Sequence, residues 1–434
     1  MSNFPHWPTR RTGDVFFVKG RIGWRNLRRS DFCEDGPHLI TGMHIDGTGR
    51  VDWNSCFRIP RRKFDESPEI QVKVGDLVIT KDGTIGKVAR IDWLPGDTSL
   101  NAHLFLVRPI QPEICSARFA FHIFTSAAFR DFIENQKSGS TLAGLGEAKF
   151  VQFQFPLPTI KEQVLVADVL DTIDTAIRET EALIDKLKAV KQGLLHDLLT
   201  RGIDSNGQLR PPQNEAPQQY KESPLGWIPR EWEVKPAESV CEAVIDCKNR
   251  TPPILDSGHP VVRTPNVRDG RFVFTELVFT DEASYKIWTQ RGRPRPGDVL
   301  ITREAPVGEV CLVPADMQGA CLGQRMMMYQ PNPSLLRNDF MLIALMSQPV
   351  QRVLIDKAGG STVGHVRVGD IRLLAVPVPP LPEQVLIVDQ YQASVDRLSA
   401  EESTLVKLRD SKAGLMEDLL TGCVRVTSLR EASS

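Results

Sequence analysis

Catalysis needs reactive side chains at particular spacings, and these 434 residues offer few. There is no G-x-x-x-x-G-K-[ST] loop, and Gly83-Thr84-Ile85-Gly86-Lys87 has the wrong spacing to cradle a phosphate. G-x-G-x-x-G, H-E-x-x-H and G-x-S-x-G are all missing, as is the Asn-Pro-Pro-Tyr or Asn-Pro-Pro-Phe tetrapeptide of adenine methyltransferases. Asp298 with Glu304 could suggest a nuclease carboxylate pair, but Ala305 and Pro306 stand where such a site needs a lysine. The eight histidines do not cluster, and His122 in an aromatic segment reads as a packed core residue. Eight cysteines without a C-x-x-C pair indicate neither a zinc site nor a disulfide framework, which fits a reducing cytoplasm. The chain reads as a non-enzyme, with no cofactor or metal of its own.

Basic side chains at turns suggest binding instead. Arg21, Arg25, Arg28 and Arg29 surround one tryptophan, and Lys81, Thr84 and Lys87 lie around a glycine turn. Further along come Arg263, Arg268 and Arg271, then Arg291 and Arg293, with Arg303 at the next turn. Two loops, KSGSTLAG and KAGGSTVG, add Ser140, Thr141, Ser361 and Thr362. Guanidinium forks in loops suit a DNA groove, where they reach guanine edges or phosphates. A single arginine is as well explained by a solvated surface, so the weight lies on recurrence at matching places. The net charge of −1 does not oppose this, because only the binding surface must be positive.

The elements that position these residues occur twice. Sliding the chain by 221 positions matches fifteen of the thirty-nine residues from Glu162 to Thr200 without a gap. Chance gives about two. Each copy reads as a long helix: Pro158, or Pro380 with Pro382, lies at its start, and Glu162 or Glu383 falls in the first turn. A 4-3 spacing runs through Leu170, Ile173, Ile177, Ile184, Leu187, Lys191, Leu194 and Leu198. In the second copy it runs through Tyr391, Leu398, Leu405, Leu408, Lys412, Leu415 and Leu419. Such heptads predict a coiled-coil seam, in which Lys191 and Lys412 would fix register.

The segments before each helix are mixed α/β. VGDLVITKDGTIGKVARI and PGDVLITREAPVGEVCLV are hairpins, Val74–Thr80 and Lys87–Ile91 being the strands of the first. FAFHIFTSAAFRDFIENQ reads as one amphipathic helix, matched by DFMLIALMSQPVQRVLIDK. A Pro- and Gln-rich stretch, Ser205–Glu222, reads as a linker. The expected fold class is α/β (α+β) with an internal pseudo-twofold repeat. Its parts are 1–157 and 227–378 as similar domains, helices at 158–203 and 379–422, a linker at 204–226 and a tail at 423–434. No apolar run reaches membrane length, and MSNFPHWPTRRTGD does not read as a signal peptide.

The paired helices introduced by PLPTIKEQ and PLPEQ and closed by DLLT, the GDLVIT and GDVLIT hairpins, the two GST loops and SPLGWIPREWEV form an ordered set. In this the chain resembles the specificity subunits of type I restriction–modification enzymes over its full length. The resemblance implies two target recognition domains, each reading half of a bipartite double-stranded DNA target. It also implies an antiparallel coiled coil that sets the spacer. The implied partners are methyltransferase subunits and a motor-nuclease subunit, which would hold S-adenosylmethionine, ATP and Mg. Two rival readings are a specificity module of another methyltransferase or nuclease system, and a coiled-coil scaffold that binds no DNA.

Overall fold

A computed structural model describes residues 7–20, 31–137, 144–359 and 364–426. The chain divides into two compact units, 1–183 with 401–434, and 184–400. The division falls inside both long helices, Ile160–Thr200 and Leu381–Thr421. Each unit therefore owns the start of one helix and the end of the other.

The duplication is visible in the topology. In the first unit β1 (Phe16–Gly20), β2 (Leu77–Thr80), β3 (Val88–Arg90) and β4 (Leu104–Pro109) form a sheet in the order β1-β4-β2-β3. In the second, β5 (Cys241–Asp246), β6 (Val299–Thr302), β7 (Val310–Leu312) and β8 (Met326–Pro331) repeat it as β5-β8-β6-β7. All these pairings are antiparallel. A three-stranded sheet accompanies each, with one antiparallel and one parallel pairing around His38–Ile40 or His259–Val262. The cores are filled differently. Phe124, Phe129, Phe150, Phe153 and Phe155 share ring contacts in the first, whereas Met327, Tyr329, Phe340 and Met341 occupy the second.

The single amphipathic helix expected from FAFHIFTSAAFRDFIENQ is two, Ala117–Thr125 and Ala127–Lys137. Ser126 adopts extended backbone between them, its hydroxyl donating to Ile123 O (2.7 Å) and accepting from Phe129 N (3.3 Å). Such local side-chain bonds compete with the helical ladder. Ser347, also extended, breaks the matching pair, Asn338–Met346 and Gln348–Lys357, its hydroxyl donating to Ala344 O (2.6 Å). The stretch read as a linker is also anchored. Arg210 and Tyr220 are buried, and the Tyr220 hydroxyl donates to Pro211 O at 2.6 Å.

Within each unit the helix segments run antiparallel. In the first, Glu162 pairs with Arg425, Asp174 with Lys412 (2.5 Å) and Glu181 with Arg409 (2.7 Å). In the second, Leu194, Leu195, Leu198 and Leu199 share a core with Ile387, Val388, Tyr391 and Val395. The seam positions Leu170, Ile177, Ile184, Leu198, Tyr391, Leu398 and Leu419 are buried. Ile173, Leu187, Lys191, Leu194, Leu405, Leu408, Lys412 and Leu415 are half-buried. The two seam lysines differ. Lys412 meets Asp174, but the residue matching Asp174 in the repeat is Val395, and Lys191 meets no carboxylate among the described residues.

One bond set ties each long helix to its domain. Gln163 accepts from Ser116 N (2.9 Å) and donates to Ile114 O (2.8 Å) and Pro158 O (2.9 Å). Gln384 does the same with Arg337 N (2.9 Å), Leu335 O (2.9 Å) and Pro379 O (2.8 Å). Both side chains are fully buried, which explains the glutamine in KEQ and PEQ. Among the described residues no helix is long and apolar enough to cross a membrane.

Among the described residues a second tie exists in the first unit alone. Asp171 on the first long helix accepts from Arg118 Nε (2.8 Å), Arg90 Nη1 (3.1 Å) and His122 Nε2 (2.8 Å). Burial alone would raise the Asp171 pKa, but the His122 and Arg118 bonds and the Arg90 charge hold it well below the carboxylate range. Burial lowers the His122 pKa against the pull of Asp171, so the ring stays neutral and donates through Nε2. His122, Asp171 and Asp174 form a cluster of metal-ligand type. Arg118, Arg90 and Lys412 already balance its two carboxylates, so it acts as an ion-pair hub.

Two outcomes follow for the ties. Gln384→Leu orphans a buried N–H and two carbonyls, and should lower stability by about 2–4 kcal/mol in denaturant melts. Asp171→Asn should cost about 2 kcal/mol at neutral pH. Because the folded pKa of Asp171 is depressed, its contribution is complete above about pH 4 and fades as pH falls below that. The gap between wild type and variant should therefore close on acidification. A gap that stays constant from pH 7 to about pH 3 would refute the charge assignment.

Candidate DNA interface

The hairpin turns are built alike. Thr80 Oγ1 donates to Thr84 O (2.5 Å) and accepts from Lys87 N (2.9 Å), while Gly86 turns the chain at φ 88°. Thr302 Oγ1 donates to Pro306 O (2.6 Å) and accepts from Glu309 N (3.0 Å), with Gly308 at φ 84°. The threonine and glycine of each motif thus shape the turn. The aspartates hold the strand entry. Asp76 is chelated by Arg108 (2.6 and 2.7 Å), and Asp298 accepts from Gln330 (2.8 Å) and Arg295 N (2.9 Å). Burial raises the Asp298 pKa, opposed by the Gln330 and Arg295 bonds. Glu304 is engaged separately by Arg325 (3.1 Å) and His365 (2.5 Å).

The chain that follows each GST loop returns beside the hairpin turn. Leu145 N donates to Lys81 O (2.8 Å), and Asp82 bridges Gly144. In the second unit Val366 N donates to Arg303 O (3.1 Å), and Glu304 bridges His365. The described chain beyond each of these sequence stretches is therefore tied to the end of its hairpin. Ser140, Thr141, Ser361 and Thr362, like Arg21, Arg25, Arg28 and Arg29, lie outside the described residues.

The other candidates divide by exposure. Thr84, Arg268, Arg271, Arg291 and Arg293 are exposed. Lys81 is half-buried with Nζ 5.3 Å from the Phe105 ring centre, and half-buried Lys87 donates to Ile45 O (3.3 Å). Arg263 is half-buried and donates to Glu276 O (2.8 Å). Arg303 has to be withdrawn as a surface contact. It is 5% exposed and its guanidinium reaches Val366 O (3.4 Å), so it holds the returning chain instead.

Arg268 and Arg271 stand directly opposite each other across a tight turn through Asp269 and Gly270, both at positive φ. Like charges facing each other across a ladder destabilise it. An exposed tip that keeps two arginines in that relation is suited to an anionic partner. Arg291 is less free, since it pairs with Asp246.

Comparison with known proteins agrees with this arrangement. The type I restriction modification DNA specificity domain matches residues 6–189 and 229–407. A putative type I restriction enzyme MjaX specificity subunit from Methanocaldococcus jannaschii is 21% identical over 392 residues, covering 89% of this chain and 87% of that protein. The EcoKI specificity subunit of Escherichia coli is 24% identical over 275 residues, covering 62% of this chain and 55% of that protein. The fold is shared with the S subunit of a type I system from M. genitalium (TM-score 0.56, 14% identity, 97% of both chains). It is shared also with a chain from a type I R-M system studied for complex assembly (TM-score 0.57, 18% identity, 98% of this chain and 100% of that one). Two matches to one domain, each covering a recognition unit and much of its helix, show that the chain belongs to the type I restriction–modification DNA specificity family and is a DNA-recognition subunit.

Proposed function

We propose that each unit reads one half of a bipartite duplex target and that the helix pair sets the spacer between them. The observation that carries this is the repeat itself. Two units with one strand order carry unlike side chains at their turns, as Asp46 against Arg268 and Lys87 against Glu309 illustrate. Equal frames with unequal surfaces suit an asymmetric two-part sequence, where identical halves would suit a palindrome. Methylation and cleavage belong to partners on this reading: methyltransferase subunits holding S-adenosylmethionine, and a motor-nuclease subunit using ATP and Mg. The chain supplies the address, and works in the cytoplasm where the host DNA lies.

Exposed arginines that neutralise phosphates release counterions, so binding by the assembled complex should fall steeply as salt rises. A flat log–log plot of affinity against salt would overturn the groove reading. Separate readers also make the halves separable. Replacing Trp232–Ile371 with the matching region of another family member should change one half of the methylated sequence and leave the other half and the spacer intact. Sequencing of methylated adenines in a host carrying the chimera reads this directly. Both halves changing together would show that recognition is shared between the units.

A further inference from the structure

Basic residues follow the first strand of each four-stranded sheet. In the sequence Arg21, Arg25, Arg28 and Arg29 follow β1, outside the described residues. The matching strand β5 leads into Cys247-Lys248-Asn249-Arg250. There Lys248 Nζ lies 5.6 Å and Arg250 Cζ 5.2 Å from the centre of the Trp288 ring. The Trp288 indole N–H donates to Arg250 O at 3.1 Å, fixing the loop on the helix Glu282–Trp288. One turn earlier on that helix, Arg293 Cζ lies 5.7 Å from the centre of Tyr285, whose ring stacks on His259 (4.0 Å, 7°).

We propose that Lys248 and Arg250, with Arg293, form a phosphate rail of the second unit that grips the backbone of duplex DNA. The reading rests on the DNA-recognition role already assigned. Three features support it. Among the described residues none of the three cations has a carboxylate partner; aromatic rings hold them instead. A ring orders a long side chain without cancelling its charge, so the cation keeps its attraction for an anion. Trp288 and Tyr285 are each only 8% exposed, so their faces are not open to stack unpaired bases. Single-strand binders depend on such open faces, so the patch favours backbone contact to a duplex.

The test uses the full chain assembled with its methyltransferase partner and a random-sequence duplex as probe. Lys248→Gln with Arg250→Gln removes both charges and keeps most of each stem on the ring. Loss of two phosphate contacts should flatten the log–log salt slope by about 2, so wild type loses about tenfold more affinity than the variant between about 50 and 200 mM salt. Lys248→Arg with Arg250→Lys should keep the wild-type slope. Arg250→Gln alone, at an exposed position, should show about half the change and serves if the double variant melts early. A steep wild-type slope unchanged in the glutamine variants would overturn the rail but not the DNA reading. A flat wild-type slope would overturn the DNA reading itself. A greater loss for single-stranded than for duplex probe would also refute the rail.

Discussion

Each half of this protein hangs on one buried side-chain amide. Gln163 and Gln384 occupy the first turn of their helices, where backbone N–H groups have no intrahelical partner and geometry is set from outside. Each takes one N–H and two carbonyls from segments about fifty residues earlier and from the proline turn beside it. A fully sequestered amide with three good bonds tolerates little displacement, since every bond lost leaves a group without water. The direction in which the helix leaves its domain is fixed there. Strand order, turn geometry and the ties at Leu145 and Val366 are then arranged around a helix whose base cannot tilt freely.

The helix ends are closed by a related device of unequal quality. Glu383 takes Arg210 bidentately (2.5 and 3.1 Å) and also accepts from Ile203 N (2.8 Å), with Arg210 and Glu383 both buried. Gly202 at φ 64° passes so close that a Cβ there would lie 2.6 Å from Trp232. In the first unit Glu162 meets Arg425, and Gly422 at φ 79° packs against Trp7, but the pair is less sealed. A charge pair shut away from water is costly to break one partner at a time, whereas a half-open one is screened.

The repeat, both long helices and both hairpins were legible because they depend on periodicity, turn glycines and self-similarity, all of which survive in one dimension. The helix break at Ser126 was not, because a single serine in an apolar run leaves the 3.6-residue pattern intact. The Ser205–Glu222 stretch looked like a linker by composition, yet Arg210 and Tyr220 anchor it through partners that composition does not register. Among the candidate binding residues, local chemistry chose arginines that are exposed but also took in Arg303, whose burial is decided by the chain returning at Val366. His122 was legible as a core residue, but its partner Asp171 lies 49 residues away on another element. Lys248 and Arg250 escaped because two cations in a short loop carry no signal until Trp288 is placed beneath them.

The Asp171 hub shows how far the two copies have drifted apart. At the matching positions of the repeat, Asp171, His122, Arg118 and Asp174 are replaced by Gln392, Ile343, Asp339 and Val395. A recognition domain carried by recombination from the first position to the second would bring Arg118 and buried His122 to face an uncharged glutamine. The reverse move would set Ile343 and the Asp339 carboxylate against two further carboxylates. Exchange between genes at one position keeps its counter-charge, while transposition between positions of one gene does not. The hub therefore ties a domain to its place in the chain as well as to its helix. A domain that changed position would have to change its charges as well as its address.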